Sequence, residues 1–366
     1  MDTAGKFKPN TILLWDRIAE TCEAQRIVKL FPSAQVKTIS RQRYTPPARH
    51  SFGQALVESK RTLMIGQTYS FINEFNGKLG FGICCRPYYK LIPISNGCPY
   101  RCTYCYLALV YRKHHPFIKI NINYDTMFKQ IAKLADARLL GRKISFNMGE
   151  MLDSLAFDHV TNLTPKLIEF FSRLPNAYLM LLTKSANINN LLSVKSNNQT
   201  VVSWSINSDE AIRQYELDTA GLDERIEAAR LCQNHGYRIR FRIDPGILHS
   251  DWQNSYAKMI QKMLTSTEPE NITIGMLRLV PGHSRLAAQA YPVETKESLQ
   301  KQNLTVLASD GKLRYPEDKR IEFYSHIIDT IRGLNKTVPV SLCRESHNVS
   351  NALKNHCFSS TCNCLG

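Results

Sequence analysis

From residue 88 onward the chain alternates short apolar runs with longer amphipathic stretches. Tyr89-Lys-Leu-Ile-Pro-Ile94, Lys143–Met148, Ala177–Leu182, Thr200–Ser205, Tyr237–Ile243 and Asn271–Leu277 read as strands. Pro116-Phe-Ile-Lys-Ile-Asn-Ile-Asn123 alternates apolar and polar residues with period two, a further strand signal. Helical stretches lie between them. Asp125 can cap a helix that runs to about Arg138, and Thr164-Pro165 opens one to about Arg173 with proline at its first position. Another runs from Leu222 to Cys232 and stops near Gly236, and a fourth from about Trp252 to Leu264. Upstream, Ile18–Cys22 reads as a short helix, Arg41–Arg49 as a loop and Ser59–Gly66 as a strand.

Strands alternating with helices predict a parallel sheet of strand–helix–strand units, about six of them and fewer than the eight of a closed barrel. Continuous apolar strands fit a sheet covered on both faces. The expected fold is therefore α/β, a partial (βα)6 TIM-like barrel over residues 88–280. A basic N-terminal segment, 1–87, is expected to pack on it, followed by a C-terminal extension, 281–366, with a cysteine-rich tail.

In parallel barrels reactive groups gather at the C-terminal strand ends. Here those ends carry Cys98-Pro-Tyr-Arg-Cys102-Thr-Tyr104-Cys105-Tyr106, then Gly149-Glu150, Lys184, Ser205-Ile-Asn207 and Asp244. Spacings of i, i+4 and i+7 point the thiols of Cys98, Cys102 and Cys105 to one side of a turn or compact loop. Three thiolates can hold three irons of a cubic cluster, leaving one iron open, and an open position marks a metal that does chemistry. The competing reading is a zinc knuckle with its fourth ligand elsewhere, which would make the chain a non-catalytic metal-binding module for nucleic acid.

Composition narrows the setting. Lys and Arg number 47 against 31 Asp and Glu, a net +16 that suits a polyanionic partner such as nucleic acid. Eleven cysteines, an odd count without a signal-peptide start, argue against a secreted disulfide scaffold. No apolar run approaches the ~18 residues that span a bilayer. A reducing cytoplasm and no membrane partner are expected.

The Cys-x3-Cys-x-aromatic-Cys loop, with Tyr104 in the aromatic slot, resembles the signature of radical S-adenosylmethionine enzymes. That resemblance implies a 4Fe-4S cluster on Cys98, Cys102 and Cys105. S-adenosylmethionine on the fourth iron, reductive cleavage to a 5′-deoxyadenosyl radical and an electron donor of the flavodoxin or ferredoxin kind go with it. Glu150 suits the methionyl amine, and Lys184 suits its carboxylate or a nucleic-acid phosphate. Ser205, Asn207 and Asp244 offer further polar groups, and Tyr104 an adenine-stacking surface.

Within that superfamily, most of residues 59–277, together with the tail, resembles the spore photoproduct lyase family. The matching stretches are Ser59–Leu63, Cys84-Cys85, Tyr104–Leu107, Asp158–Thr161, Thr183-Lys184, Trp204–Asn207, Leu222–Arg230 and Asp251-Trp252. The resemblance implies light-independent reversal of a thymine dimer in DNA, with Lys184 and Ser205 contacting S-adenosylmethionine and Tyr104 and Tyr106 flanking the cluster. One departure stands out. Alignment on Asp153 and Asp158-His159 puts Glu150 where the family carries its hydrogen-donating cysteine. No cysteine lies between Cys105 and Cys232. A carboxylate is no ready hydrogen-atom donor, so either another group returns the hydrogen or the substrate is a peptide, a tRNA or a small molecule.

The tail collects Cys343, Cys357, Cys362 and Cys364, a candidate second metal site or a set of buried or reactive thiols. Lys312-Leu-Arg314-Tyr315-Pro316 reads either as a substrate-facing turn, its Arg and Tyr suiting phosphate and base contacts, or as an exposed loop.

Overall fold

The computed structural model describes residues 7–43, 51–78, 86–95, 97–107, 118–136, 143–291, 299–356 and 362–365. Cys84, Cys85 and Cys357 lie outside these residues. In chain order the first strands are β1 (Thr11–Trp15), β2 (Gln35–Ile39), β3 (Thr62–Gly66), β4 (Ile72–Phe75), β5 (Tyr88–Leu91), β6 (Ile94–Ser95), β7 (Arg101–Cys102) and β8 (Ile118–Asn121). Then come β9 (Ile144–Met148), β10 (Ala177–Thr183), β11 (Thr200–Ser205), β12 (Glu216–Leu217) and β13 (Arg238–Gly246). The last are β14 (Ile272–Met276), β15 (Val306–Leu307), β16 (Leu313–Arg314) and β17 (Val340–Leu342).

An eight-stranded sheet in the order β17-β14-β13-β11-β10-β9-β5-β4 organises the molecule. All its neighbours run parallel except β4, which is antiparallel to β5. Its ends β17 and β4 are not paired to each other among the described residues, so the barrel is partial, as the strand–helix rhythm implies. The sheet takes β4 from upstream of residue 88 and β17 from downstream of 280.

Three expectations need correction. Tyr89–Ile94 is not one strand, because the chain leaves the large sheet after Leu91 and β6 joins a second sheet beyond Pro93. Proline supplies no backbone N–H for a ladder, which favours such a break. The 116–123 stretch does form a strand, β8, but it also belongs to the second sheet, of order β2-β1-β3-β8-β6. The N-terminal residues are thus an α/β layer of their own: β1, the helix Cys22–Lys29 and β2 make a strand–helix–strand unit. The helix begins at Cys22, where Thr21 caps it by accepting from the Ala24 amide, rather than ending there. Both sheets contribute buried side chains to one continuous apolar core, which runs from Ile12, Leu63 and Ile120 through Phe146 and Leu179 to Trp204 and Phe241, while Leu13 and Met64 of the second sheet form a separate small cluster.

The predicted helices are present as Tyr124–Asp136, Thr164–Ser172, Leu222–Asn234 and Trp252–Ser266. The last three lie between parallel strands of the large sheet, Thr164–Ser172 between β9 and β10, Leu222–Asn234 between β11 and β13, and Trp252–Ser266 between β13 and β14, whereas Tyr124–Asp136 follows β8 of the second sheet. Consecutive strand ends therefore open on the same rim.

Candidate active site

The cysteine loop is held by three elements. β7 pairs antiparallel with β12, which sets Cys102 opposite Glu216. The ammonium of Lys60, at the end of helix Phe52–Ser59, donates to the carbonyls of Cys98 at 2.6 Å and Tyr100 at 2.7 Å. His283 donates from Nε2 to the Thr103 carbonyl at 2.8 Å. So anchored, the loop turns Cys98, Cys102 and Cys105 into one cavity of about 250 Å³. Burial pushes the Cys102 thiol up to about 12 against the opposing pull of Lys184, and burial raises Cys98 likewise. Half-buried thiols of this kind, set in a cavity wall, ionise readily only when a positive charge answers them. Among the described residues no three His, Cys, Asp or Glu converge on one point for a single metal ion. A cubic cluster asks for a different layout, since each thiolate binds its own iron at a separate corner. The three loop thiols share one cavity wall, and no other described cysteine lines it.

The strand ends supply the rest of the wall. Glu150 follows β9 through Gly149, where an added Cβ would come 2.5 Å from the Leu182 Cβ, so only glycine lets the chain turn beneath β10. The Glu150 carboxylate accepts from the Tyr88 hydroxyl and lies 3.4 Å from Lys90 Nζ. Burial would raise its pKa, but the Tyr88 hydrogen bond and the charges of Arg242, Lys90 and Arg344 outweigh burial and hold it below the usual range. Asp153 accepts from Thr183 at 2.7 Å and from the Lys184 amide at 2.7 Å, which fixes the end of β10. Lys184 then donates from Nζ to Ser205 Oγ at 2.7 Å and stands 6.0 Å from the Tyr104 ring centre. Asp244, at the end of β13, is gripped by Arg242 at 2.7 Å and Arg278 at 2.9 Å. The two guanidinium groups overcome burial and hold its carboxyl at about 2.

The structure thus brings Cys98, Cys102, Cys105, Tyr104, Tyr106, Glu150, Lys184, Ser205 and Asp244 onto one cavity. Asn207 is not on that wall. It is fully buried behind it, donating to the Pro245 carbonyl at 2.9 Å and accepting from Tyr256 at 2.6 Å.

Several site residues escaped the sequence reading. Glu216 is a buried hub: its carboxylate accepts from the Tyr104 hydroxyl, pairs with Arg225 at 2.7 Å and lies 3.9 Å from Lys184. Arg242, Arg278, Lys312 and Arg344 also line the cavity. In the Lys312–Pro316 turn only Lys312 faces the cavity. Arg314 is buried, with its guanidinium on Asp310 at 2.7 Å, and Tyr315 is buried. The tail enters the barrel, where Asn363 donates to Ser203 at 2.6 Å and, through its amide, to Thr273 at 3.0 Å. This insertion brings the Cys364 thiol 3.9 Å from Glu150 Oε1 and 3.8 Å from Arg242. Across the same guanidinium, Cys343 stands at 3.1 Å. Cys343, Cys362 and Cys364 do not meet around a single ion among the described residues.

A partial parallel barrel with three thiols and a ring of polar strand-end groups at its mouth defines an α/β enzyme fold of the radical S-adenosylmethionine class. The sequence profile of the family described as spore photoproduct lyase matches residues 7–335, and the chain belongs to that family. It is 30% identical over 209 residues to the spore photoproduct lyase of Clostridium acetobutylicum, covering 57% of this chain and 59% of that one. It is 31% identical over 175 residues to that of Bacillus subtilis, covering 47% and 50%. These alignments span only about half to three-fifths of the curated relatives. In fold the chain is similar to a spore photoproduct lyase complexed with dinucleoside spore photoproduct, with a TM-score of 0.77 at 22% identity over 92% of this chain and 98% of that one. A substituted variant with bound AdoMet and dinucleoside spore photoproduct is similar with a TM-score of 0.74 at 22% identity over the same shares.

Proposed function

We propose that this chain is a radical S-adenosylmethionine enzyme that reverses a thymine dimer of the spore photoproduct type in DNA. The observation that carries the reading is the meeting of the three loop thiols with Glu150, Lys184 and Ser205 on one cavity. The residues fit a 4Fe-4S cluster, with Cys98, Cys102 and Cys105 on three corners and a fourth left for S-adenosylmethionine. When bound, that pair supplies a 5′-deoxyadenosyl radical that takes a hydrogen atom from the lesion.

The protein's part is positioning. Glu150, ionised and held by Tyr88 and Lys90, receives the methionyl amine. Lys184 and Ser205, already bonded to each other, offer a cation and a hydroxyl to the carboxylate and ribose. Tyr104, pinned by Glu216, presents its ring to adenine. Asp244 is saturated by two arginines and keeps them in the wall rather than binding ligand itself. Asn207 supports the end of β11 from behind. A lesion within a duplex must be turned out to enter, at a cost that damage lowers. Hydrogen return, which Glu150 cannot perform, falls to Cys364, the tail thiol that stands behind Glu150 at 3.9 Å rather than on the cavity wall itself; the thiyl radical left by the transfer is returned to the thiol by one electron from the external donor and one solvent proton. Electrons come from a flavodoxin- or ferredoxin-type donor, and the setting is the reducing cytoplasm.

The test is anaerobic incubation of the reconstituted protein with S-adenosylmethionine, dithionite and dinucleotide spore photoproduct. The reading expects thymidylyl-thymidine to appear. The same radical chemistry on a peptide, tRNA or small molecule, the reading that Glu150 raises, expects 5′-deoxyadenosine with the lesion left intact.

A further inference from the structure

The cavity carries positive charge that its own carboxylates do not answer. Asp244 is committed to Arg242 and Arg278. Asp153 is satisfied by Thr183 and by backbone amides. Lys312 and Arg344 remain. Among the described residues neither side chain forms an ion pair or a hydrogen bond, although both line the cavity. Lys312 Nζ stands 5.4 Å from the ring centre of Tyr106, on the cysteine loop. The charges facing it are Arg278, Arg344 and Arg314, with Asp310 the one carboxylate, and Asp310 is itself bound twice by Arg314. Burial and then the fields of Arg278 and Arg344 push the Lys312 ammonium down to about 8. Arg344 follows β17 with a backbone φ of 53°, a conformation that residues other than glycine seldom adopt. It is held there while the preceding carbonyl, of Cys343, accepts from Arg278 at 3.1 Å. Glu150 faces Arg344 only at a distance and is engaged by Tyr88 and Lys90. Crowded, half-buried cations in a partly desolvated wall call for an anionic ligand.

We infer that Lys312 and Arg344 form a subsite for a phosphodiester of the nucleic-acid substrate. The inference rests on the nucleic-acid reading proposed above. A guanidinium fork grips two oxygens of a tetrahedral anion, and an ammonium adds a point charge beside it. The same cations could instead take the methionyl carboxylate, so the experiment must separate the two.

The experiment measures equilibrium binding to the reconstituted protein with S-adenosylmethionine but without reductant, so that nothing turns over. Two probes differ by one group: dinucleotide spore photoproduct, with its phosphodiester, and the dinucleoside form, without it. Wild type should bind the dinucleotide about tenfold tighter, the value of one charge-assisted contact. Lys312→Gln and Arg344→Gln should each bring that ratio toward one while leaving dinucleoside affinity unchanged, a control that an unfolded variant fails. Equal affinity for both probes in wild type, or a ratio that survives both substitutions, overturns the subsite and leaves the substrate reading standing. Loss of S-adenosylmethionine affinity in the variants, with the probe ratio intact, assigns the cations to the methionyl carboxylate and also overturns it. If neither probe binds wild type, the substrate reading falls together with the subsite.

Discussion

Replacing Glu216 by glutamine should damage the fold and the cysteine loop together. Glu216 and Arg225 have side chains only 1% and 0% exposed and meet at 2.7 Å. The Arg225 guanidinium also donates to Ala220 O at 2.8 Å, Ser205 O at 2.9 Å and Thr219 Oγ1 at 2.6 Å, so it cannot swing to solvent when the carboxylate goes. Removing one partner of a buried pair costs about 3–5 kcal/mol, because the remaining charge stays desolvated. Glutamine keeps a hydrogen-bonding oxygen, which puts the expected loss near the lower end, about 3 kcal/mol. Against a typical stability of about 5–15 kcal/mol that is a large fraction. Urea unfolding of the metal-free protein, followed by circular dichroism, should show it. Glu216→Leu with Arg225→Met should recover most of the loss, since a buried ion pair can be exchanged for apolar packing of similar volume. Because Glu216 faces Cys102 across β12 and β7 and anchors Tyr104, Cys102 should also alkylate faster in Glu216→Gln. A loss under about 1 kcal/mol with unchanged alkylation would refute the assignment of Glu216 as the hub.

Three further outcomes are expected. The Asp244 carboxyl is held at about 2 in the fold, below its ordinary value near 3.9. Its contribution, roughly 2–3 kcal/mol, is complete above pH 4 and disappears as pH falls toward 2; Asp244→Asn should flatten the urea midpoint over that window, and an unchanged pH profile would count against the arginine grip. Lys60→Met removes both hydrogen bonds to the cysteine-loop carbonyls, and iron bound per chain after anaerobic reconstitution should drop by at least half, whereas full iron content would mean the loop holds itself. In deuterated water, wild type should place one solvent deuterium in the repaired thymine because S–H exchanges with solvent, and Cys364→Ala should release 5′-deoxyadenosine with little repair; undiminished repair by the variant would remove Cys364 from hydrogen return.

Much of this site is legible in the sequence because parallel strands end on one rim. Glu150, Lys184, Ser205 and Asp244 could be gathered before any contact was known, simply as the residues that follow predicted strands. What periodicity does not give is which sheet a strand joins: β8 has a clear period-two pattern, yet its partners are β3 and β6. Asn207 shows the related difficulty. Two residues beyond a strand end, it turns behind the wall instead of into it. A further signal lies in β13. Arg238, Arg240 and Arg242 alternate with Ile239, Phe241 and Ile243 along β13, and period-two charge on a mostly buried strand marks a face that meets a polar interior. Here that interior takes the inserted tail, with Arg240 bonded to the Leu365 carbonyl and Arg242 to both Cys343 and Cys364. Glu216 left no comparable trace, since its importance arises from contacts between Cys102, Lys184 and Arg225, which are distant in sequence.

The most direct measurement is the yield of 5′-deoxyadenosine from protein reconstituted with iron and sulfide without oxygen, then given dithionite and S-adenosylmethionine. Wild type should carry about four irons per chain and release 5′-deoxyadenosine, and Cys98→Ala, Cys102→Ala and Cys105→Ala should each release none. Wild type that binds zinc in place of iron, or that binds iron and leaves S-adenosylmethionine uncleaved, would contradict the account.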